Sequence, residues 1–189
     1  MFNMSLQVME HETENYSNAI TSFEDMHLKE GLLRAIYAYG WEKPSYVQQK
    51  GILPVVNGRD SIIQAQSGTG KTGTFSIACL ELVDKNINSC QIICLSPTRE
   101  IAEQSLNVMK ELNKFLNLDI AGVIGGKRLD NATVKQSHII VGTPGRIYDL
   151  LKKNIIETAN LKLFVIDEAD IMLQKGFRDQ VSFIMQYSP

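Results

Sequence analysis

The chain has 189 residues, 44% of them hydrophobic and 21% charged, with a formal net charge of −2. That length suits one domain with a buried core, and the composition is ordinary for a soluble protein. No apolar run approaches the roughly 18 residues a membrane helix needs. The slightly acidic balance excludes holding nucleic acid by bulk charge, so any such binding requires a local row of donors.

Residues 1–20 carry no Lys or Arg and include Glu10, Glu12 and Glu14. A secretory signal would begin with basic residues and continue into an apolar stretch, so this segment reads as a flexible acidic tail and the protein as not secreted. Cys79, Cys90 and Cys94 form no disulfide framework. They read as buried free thiols in a reducing compartment, the cytoplasm or the nucleus. His11, His27 and His138 share no metal-ligand spacing.

Helical periodicity starts at Phe23, with Leu28, Leu32, Leu33 and Ile36 on one face, and predicts a helix over 23–39 ended by Gly40. A turn through Trp41 leads to Pro44, which suits the first position of a second helix carrying Val47, Gln48, Ile52 and Leu53. Asn57-Gly58-Arg59-Asp60 is a turn signal, and the apolar run after it predicts a strand over 60–64.

The next stretch is Ala65-Gln66-Ser67-Gly68-Thr69-Gly70-Lys71-Thr72, followed by a long helical pattern. Strand, glycine-rich loop and helix are the context of a phosphate-binding loop. Glycines let backbone N–H groups close around phosphate oxygens, and the helix start adds the positive end of its dipole. Lys71 can neutralise terminal phosphates and the Thr72 hydroxyl can ligate Mg²⁺. A mere turn would have no use for Lys-Thr at the helix start. The general pattern places glycine where this chain has Ala65.

Strand-helix units then repeat. Strands are predicted over 91–95, 120–124, 138–141 and 162–166, with helices to about residues 85, 115 and 152 and a last helix over 178–186. Apolar strands alternating with helices predict an α/β fold, a mostly parallel sheet with helices on both faces. Ligands bind at the carboxyl ends of the strands in such sheets. Gly68, Thr98, Gly126, Thr143 and Asp167 are therefore expected along one rim. Asp167-Glu168 leaves the apolar run Leu163-Phe164-Val165-Ile166. A carboxylate so placed opposite a phosphate loop is a second Mg²⁺ anchor, and Glu168 can orient or deprotonate the attacking water. Read alone, the same acidic residues would also suit a helix start.

Asp167-Glu168-Ala169-Asp170 resembles the signature of the DEAD-box ATP-dependent RNA helicases, and the phosphate loop beginning with Ala65 resembles a helicase variant. Gln48, with Pro44-Ser45 before it and Phe23 upstream, is similar to that family's Q motif. Pro97-Thr98-Arg99-Glu100-Ile101-Ala102, Gly125-Gly126 and Thr143-Pro144-Gly145-Arg146 resemble its motifs Ia, GG and Ib. The elements fall in family order over nearly the whole chain after Thr21, and the stretch from Ile36 to Ser45 is most similar to the translation initiation factor 4A branch. Ser45 and Val47 stand where the family usually has Thr and Ile, which keeps the hydroxyl and the apolar character.

The resemblance implies that 21–189 is the first RecA-like domain, with ATP and Mg²⁺ as cofactors and Lys71, Asp167 and Glu168 as catalytic residues. It implies that Phe23, Gln48 and the loop Ala65, Gln66, Ser67, Gly68, Thr69, Gly70, Lys71 and Thr72 bind nucleotide. The Gln48 amide matches the N6 and N7 edge of adenine, and Thr72 and Asp167 hold the metal. RNA falls to Pro97, Thr98, Arg99, Gly125, Gly126, Thr143, Gly145 and Arg146, through backbone contacts that do not read sequence. Thr143 followed by Pro144 is also a helix cap, and a cap can do both jobs.

The family's Ser-Ala-Thr motif and second RecA-like domain, with its arginine finger, lie beyond Pro189. The resemblance thus implies that this stretch alone binds ATP but hydrolyses it poorly, without unwinding. It also implies a gap in the sheet, because the strand before Ser-Ala-Thr lies between the phosphate-loop strand and the Asp167 strand. That gap would stay open or be filled by another copy. Expected partners are RNA and proteins of translation initiation or messenger-RNA processing, with no membrane. An ATP-gated RNA clamp is the alternative within the family. A small phosphate-loop kinase would leave Gln48 and Thr143 to Arg146 unexplained.

Overall fold

The computed structural model describes residues 20–126, 130–174 and 176–187. The expected tail over 1–20 therefore lies, apart from Ile20, outside the described residues. The helix expected over 23–39 is divided in two. A 3₁₀ turn, Glu24–Met26, ends at His27 in a left-handed conformation (φ 51°), and α1 (Glu30–Ala38) follows. The Asp25 carboxylate accepts from the Thr21 and Ser22 N–H groups at 3.0 and 2.9 Å. Local bonds of that kind compete with helix propagation.

α2 (Tyr46–Val56) begins after Ser45, not at Pro44. Ser45 is its N-cap, in a reciprocal capping box with Gln48. Then come α3 (Lys71–Leu82), β1 (Ile92–Leu95), α4 (Arg99–Leu112) and β2 (Ile120–Val123). α5 (Asn131–Gln136) was not expected from periodicity, though Asp130 caps it through the N–H groups of Ala132 and Thr133. β3 (Ile139–Gly142), α6 (Pro144–Lys152), β4 (Leu163–Ile166), α7 (Ala169–Met172) and α8 (Arg178–Met185) complete the order.

The four strands are all parallel, in the order β2-β3-β1-β4. β1 is central, with Ile92 opposite both Ile139 and Leu163. Its alternation feeds two cores. Ile92 and Cys94 pack with Leu32, Ile36, Ile52, Ile77, Leu80 and Met109 from α1 to α4. Ile93 and Leu95 pack with Ile147, Leu150, Met172, Val181 and Ile184 from α6, α7 and α8. Central β1 and β3 are buried throughout, as strands covered on both faces should be.

The expected strand over 60–64 does not form. Residues 61–66 have no sheet partner, and Ile62 is fully exposed (100%). Ile63 instead lies on α2, where a Cβ at Gly51 would stand 2.9 Å from its Cδ1. A strand exists through its neighbour, and among the described residues none pairs with the outer side of β4. The single chain therefore has an open edge at β4, whose residues are only half-buried.

Candidate nucleotide site and RNA rim

The loop before α3 is shaped by its glycines. Gly68 (φ 80°) and the N-cap Gly70 (φ 103°) are both left-handed. Thr69 Oγ1 donates to the Gln66 carbonyl at 2.7 Å. Lys71 Nζ donates to the carbonyls of Ala65 (2.6 Å) and Gln66 (3.2 Å). The ammonium thus sits at the loop's mouth on neutral acceptors that an anion would outcompete. Ser67 is exposed and Thr72 half-buried at the first turn of α3.

Gln48 is buried (4% exposed). Its Oε1 accepts from the Ser45 N–H at 2.8 Å, and Ser45 Oγ accepts from the Gln48 N–H at 3.4 Å. One lone pair of the amide oxygen is therefore committed to the cap, leaving the amide NH₂ and a second lone pair for a ligand. Nε2 faces the start of α3: Cβ atoms at Gly70 and Gly73 would stand 3.2 and 2.7 Å from it. The Trp41 ring closes on the same glycine, with Cη2 2.6 Å from a Cβ at Gly73. Two glycines thus let the capping box of α2 seat directly on the phosphate-loop helix. Neither Trp41 nor Gly73 stood out in the sequence.

Phe23 does not offer a face for a base. It is 0% exposed, within the core, and meets the Tyr37 ring edge-on at 6.3 Å between centroids. Aromatic burial of that size outweighs a half-exposed stacking position, so Phe23 supports α1.

Asp167 follows β4 and its N–H donates to the Leu95 carbonyl at 2.9 Å. Burial, and then the neighbouring Glu168, raise its carboxyl above the ordinary range. The Glu168 N–H, the Ser105 hydroxyl and the Lys71 charge work the other way. Glu168 is the left-handed N-cap of α7 (φ 50°) and its N–H donates to Asp167 Oδ1 at 3.0 Å. The helix start that the acidic residues also suited is therefore real. Its strained backbone is of a kind found at functional sites. The half-buried Asp167 carboxylate and the Thr72 hydroxyl are hard oxygen donors of the kind that would suit Mg²⁺.

Ser105 is a further residue the motifs did not show. It lies in α4 on the stripe Ala102, Ser105, Leu106, Met109, all buried, and its hydroxyl donates to Asp167 Oδ2 at 3.5 Å. A serine on an apolar stripe at helical spacing was the available signal.

The RNA candidates divide by strand. Thr98, Gly125-Gly126 and Thr143 follow β1, β2 and β3, three adjacent strands. Pro97 is buried, and Thr98 caps α4 by accepting from the Ile101 N–H at 3.3 Å. The Arg99 guanidinium lies over the glycine pair: Cβ atoms at Gly125 and Gly126 would stand 3.1 and 3.2 Å from its nitrogens. Thr143 is the N-cap residue of α6 with Pro144 in the first turn, but its hydroxyl makes no capping bond and stays uncommitted. Gly145 is exposed, whereas Arg146 donates to Asp149 at 2.9 Å and shares that carboxylate with Lys153. Asp167 lies on the other side of β1, at β4, facing the charge of Lys71. The rim therefore has one end at Lys71 and Asp167 and another at the turns after β2 and β3, meeting at β1.

All three cysteines are free and buried. Among the described residues no helix is long and apolar enough to cross a membrane.

Residues 45–189 match the family model for the DEAD/DEAH box helicases. The chain is 48% identical over 178 residues to a protein named ATP-dependent RNA helicase eIF4A from Chaetomium globosum, covering 93% of this chain and 45% of that one. It is 48% identical over 171 residues to the Drosophila melanogaster eukaryotic initiation factor 4A, covering 89% and 42%. Among solved structures, S. cerevisiae Dbp5 bound to RNA and ADP BeF3 superposes with a TM-score of 0.82 at 38% identity, over 89% of this chain and 44% of that one. A DEAD box protein from the hyperthermophile Methanococcus jannaschii gives 0.83 at 38% identity, over 89% and 47%. The chain spans less than half the length of the curated relatives named. By sequence, fold and the order of its rim motifs, the chain belongs to the DEAD/DEAH box helicase family.

Proposed function

We propose that this chain is the ATP-binding part of an ATP-dependent RNA helicase, coupling Mg²⁺-dependent ATP hydrolysis to RNA remodelling. The observation that carries this reading is Lys71, held 2.6 Å from the Ala65 carbonyl in a loop of left-handed glycines, with its charge acting on the Asp167 carboxyl at the end of β4. A triphosphate draws Lys71 from the Ala65 and Gln66 carbonyls and receives the N–H groups of the loop and of the first turn of α3. The Gln48 amide, fixed by its cap, meets the adenine edge and favours ATP over GTP. Thr72 and Asp167 would hold magnesium, which would supply charge neutralisation of the phosphates. Glu168 is the residue placed to orient or deprotonate the attacking water.

RNA is held by Pro97, Thr98, Arg99, Gly125, Gly126, Thr143, Gly145 and Arg146, through phosphates and 2′-hydroxyls without sequence readout. The similar Dbp5 structures bound to RNA and ADP BeF3 support both ligands for this fold. The relatives' names support a role in translation initiation, with messenger-RNA processing as the neighbouring task, in the cytoplasm or the nucleus. A second RecA-like domain completes the machine, and its arginine finger is worth about 10³ to 10⁵ in turnover in related NTPases. Measured by itself, the 189-residue stretch is expected to bind ATP and turn it over slowly.

Titration of a fluorescent ATP analogue into the 189-residue chain with Mg²⁺ tests this. Saturable binding displaced by ATP and ADP, and far less by GTP, is expected, with little stimulation of phosphate release by single-stranded RNA. Absence of saturable binding, or displacement by GTP as readily as by ATP, overturns the reading.

A further inference from the structure

The Asp167 carboxylate is held by two donors of different origin. Oδ1 receives the Glu168 N–H at 3.0 Å, a bond made within the loop itself. Oδ2 receives the hydroxyl of Ser105, 62 residues away on α4, at 3.5 Å. Ser105 is 1% exposed and lies on the buried stripe of its helix. A serine inside a helix commonly donates to the carbonyl one turn back. This one, among the described residues, donates to Asp167. Burying a hydroxyl costs stability unless it is bonded, and alanine is the better helix former at the same size. Packing therefore does not account for a hydroxyl at this position.

One donor would leave the carboxylate free to rotate about χ2, where acid side chains have a broad and soft profile. Donors on both oxygens, the Ser105 contact being the longer at 3.5 Å, bias the carboxylate toward one plane, and each oxygen keeps a lone pair for a ligand. We propose that Ser105 is a positioning residue for the metal-binding carboxylate, holding Asp167 Oδ2 so that the carboxylate presents a fixed edge to the ion shared with bound nucleotide. The inference rests on the reading of Asp167 as the metal anchor. It acts through orientation, as hydrogen-bond partners of metal ligands do elsewhere, where their loss typically weakens metal affinity by about 10- to 100-fold.

The test uses the full chain and a fluorescent ADP analogue, titrated with Mg²⁺ and repeated in EDTA. Ser105→Ala is expected to raise the half-saturating Mg²⁺ concentration by about 10-fold while affinity in EDTA stays as in the unaltered chain. Ser105→Thr, which keeps the hydroxyl, is expected to restore the Mg²⁺ dependence. Asp167→Ala is expected to remove it. An unchanged Mg²⁺ midpoint in Ser105→Ala, beside a lost one in Asp167→Ala, overturns the role of Ser105 and leaves the metal reading standing. Equal weakening in Mg²⁺ and EDTA makes Ser105 a packing residue and also overturns it. So does Ser105→Thr behaving as alanine with its EDTA affinity intact. An unaltered Mg²⁺ dependence in Asp167→Ala removes the metal reading, and this inference with it.

Discussion

Replacing Gly70 by alanine strikes the joint between the phosphate loop and the adenine side. At φ 103° a side chain is strained, and a Cβ there would stand 2.9 Å from Ser45 Oγ and 3.2 Å from Gln48 Nε2. The backbone strain costs about 1–2 kcal/mol. Displacing Ser45 and Gln48 loosens the capping box, worth about 1 kcal/mol. The sum, roughly 2–3 kcal/mol, is large against the ~5–15 kcal/mol by which domains are stable. For a chain of this size it lowers the melting temperature by about 4–12 °C. Gly68→Ala is the internal control, because Gly68 is also left-handed (φ 80°) but a Cβ there meets nothing within 4 Å. It should lose about half as much and keep its preference for ATP over GTP, whereas Gly70→Ala should lose part of that preference. Thermal unfolding by circular dichroism and nucleotide competition read both. Equal losses in the two variants, or an unaltered melting temperature in Gly70→Ala, would refute the reasoning.

The Asp167 carboxyl is raised in the fold, so the folded chain binds its proton more readily than the unfolded chain does. Its charge therefore costs stability above the folded pKa, and that cost disappears as pH falls to the ordinary carboxylate range. Asp167→Asn should raise the melting temperature of the ligand-free chain at pH 7.5, by an amount that shrinks toward acid pH; a gain independent of pH would contradict this. Burial raises all three thiols, Cys90 to about 12, and Cys79 and Cys94 well above the ordinary thiol value. They should resist a thiol reagent at pH 8 in the native chain and all react in denaturant, as counted by mass spectrometry. Arg99→Ala, which strips the guanidinium from the Gly125-Gly126 backbone, should weaken RNA binding in the presence of an ATP analogue equally across sequences. It should also reduce the salt slope by about one; a sequence-dependent loss would argue against backbone recognition.

The glycine turn before α3 and the place of Asp167 at the end of β4 were legible because their signal is local: Gly68, Gly70, Lys71 and the acidic pair stand at short, fixed spacing. The parallel sheet was legible from apolar runs, each within a residue or two of its observed bounds. The strand expected over 60–64 was not, because a strand needs a neighbour and periodicity says nothing about one. Ser61-Ile62-Ile63 has the composition of a strand and no partner among the described residues. The full burial of Phe23 was hidden for a related reason, since a motif position does not reveal how deeply a ring is packed. Ser45 displaced Pro44 as the helix start because the reciprocal bonds with Gln48 outweigh a favourable proline φ. Ser105 and Gly73 matter only through residues distant in sequence, Asp167, Trp41 and Gln48.

Everything above turns on Lys71 as the group that meets the terminal phosphates. The direct measurement is the ATP affinity of Lys71→Ala beside that of the unaltered chain, with circular dichroism to show that both are folded. Loss of a charge-assisted hydrogen bond worth about 1.5–3 kcal/mol weakens binding by about 10- to 100-fold. An affinity left unchanged in the folded variant would contradict the account.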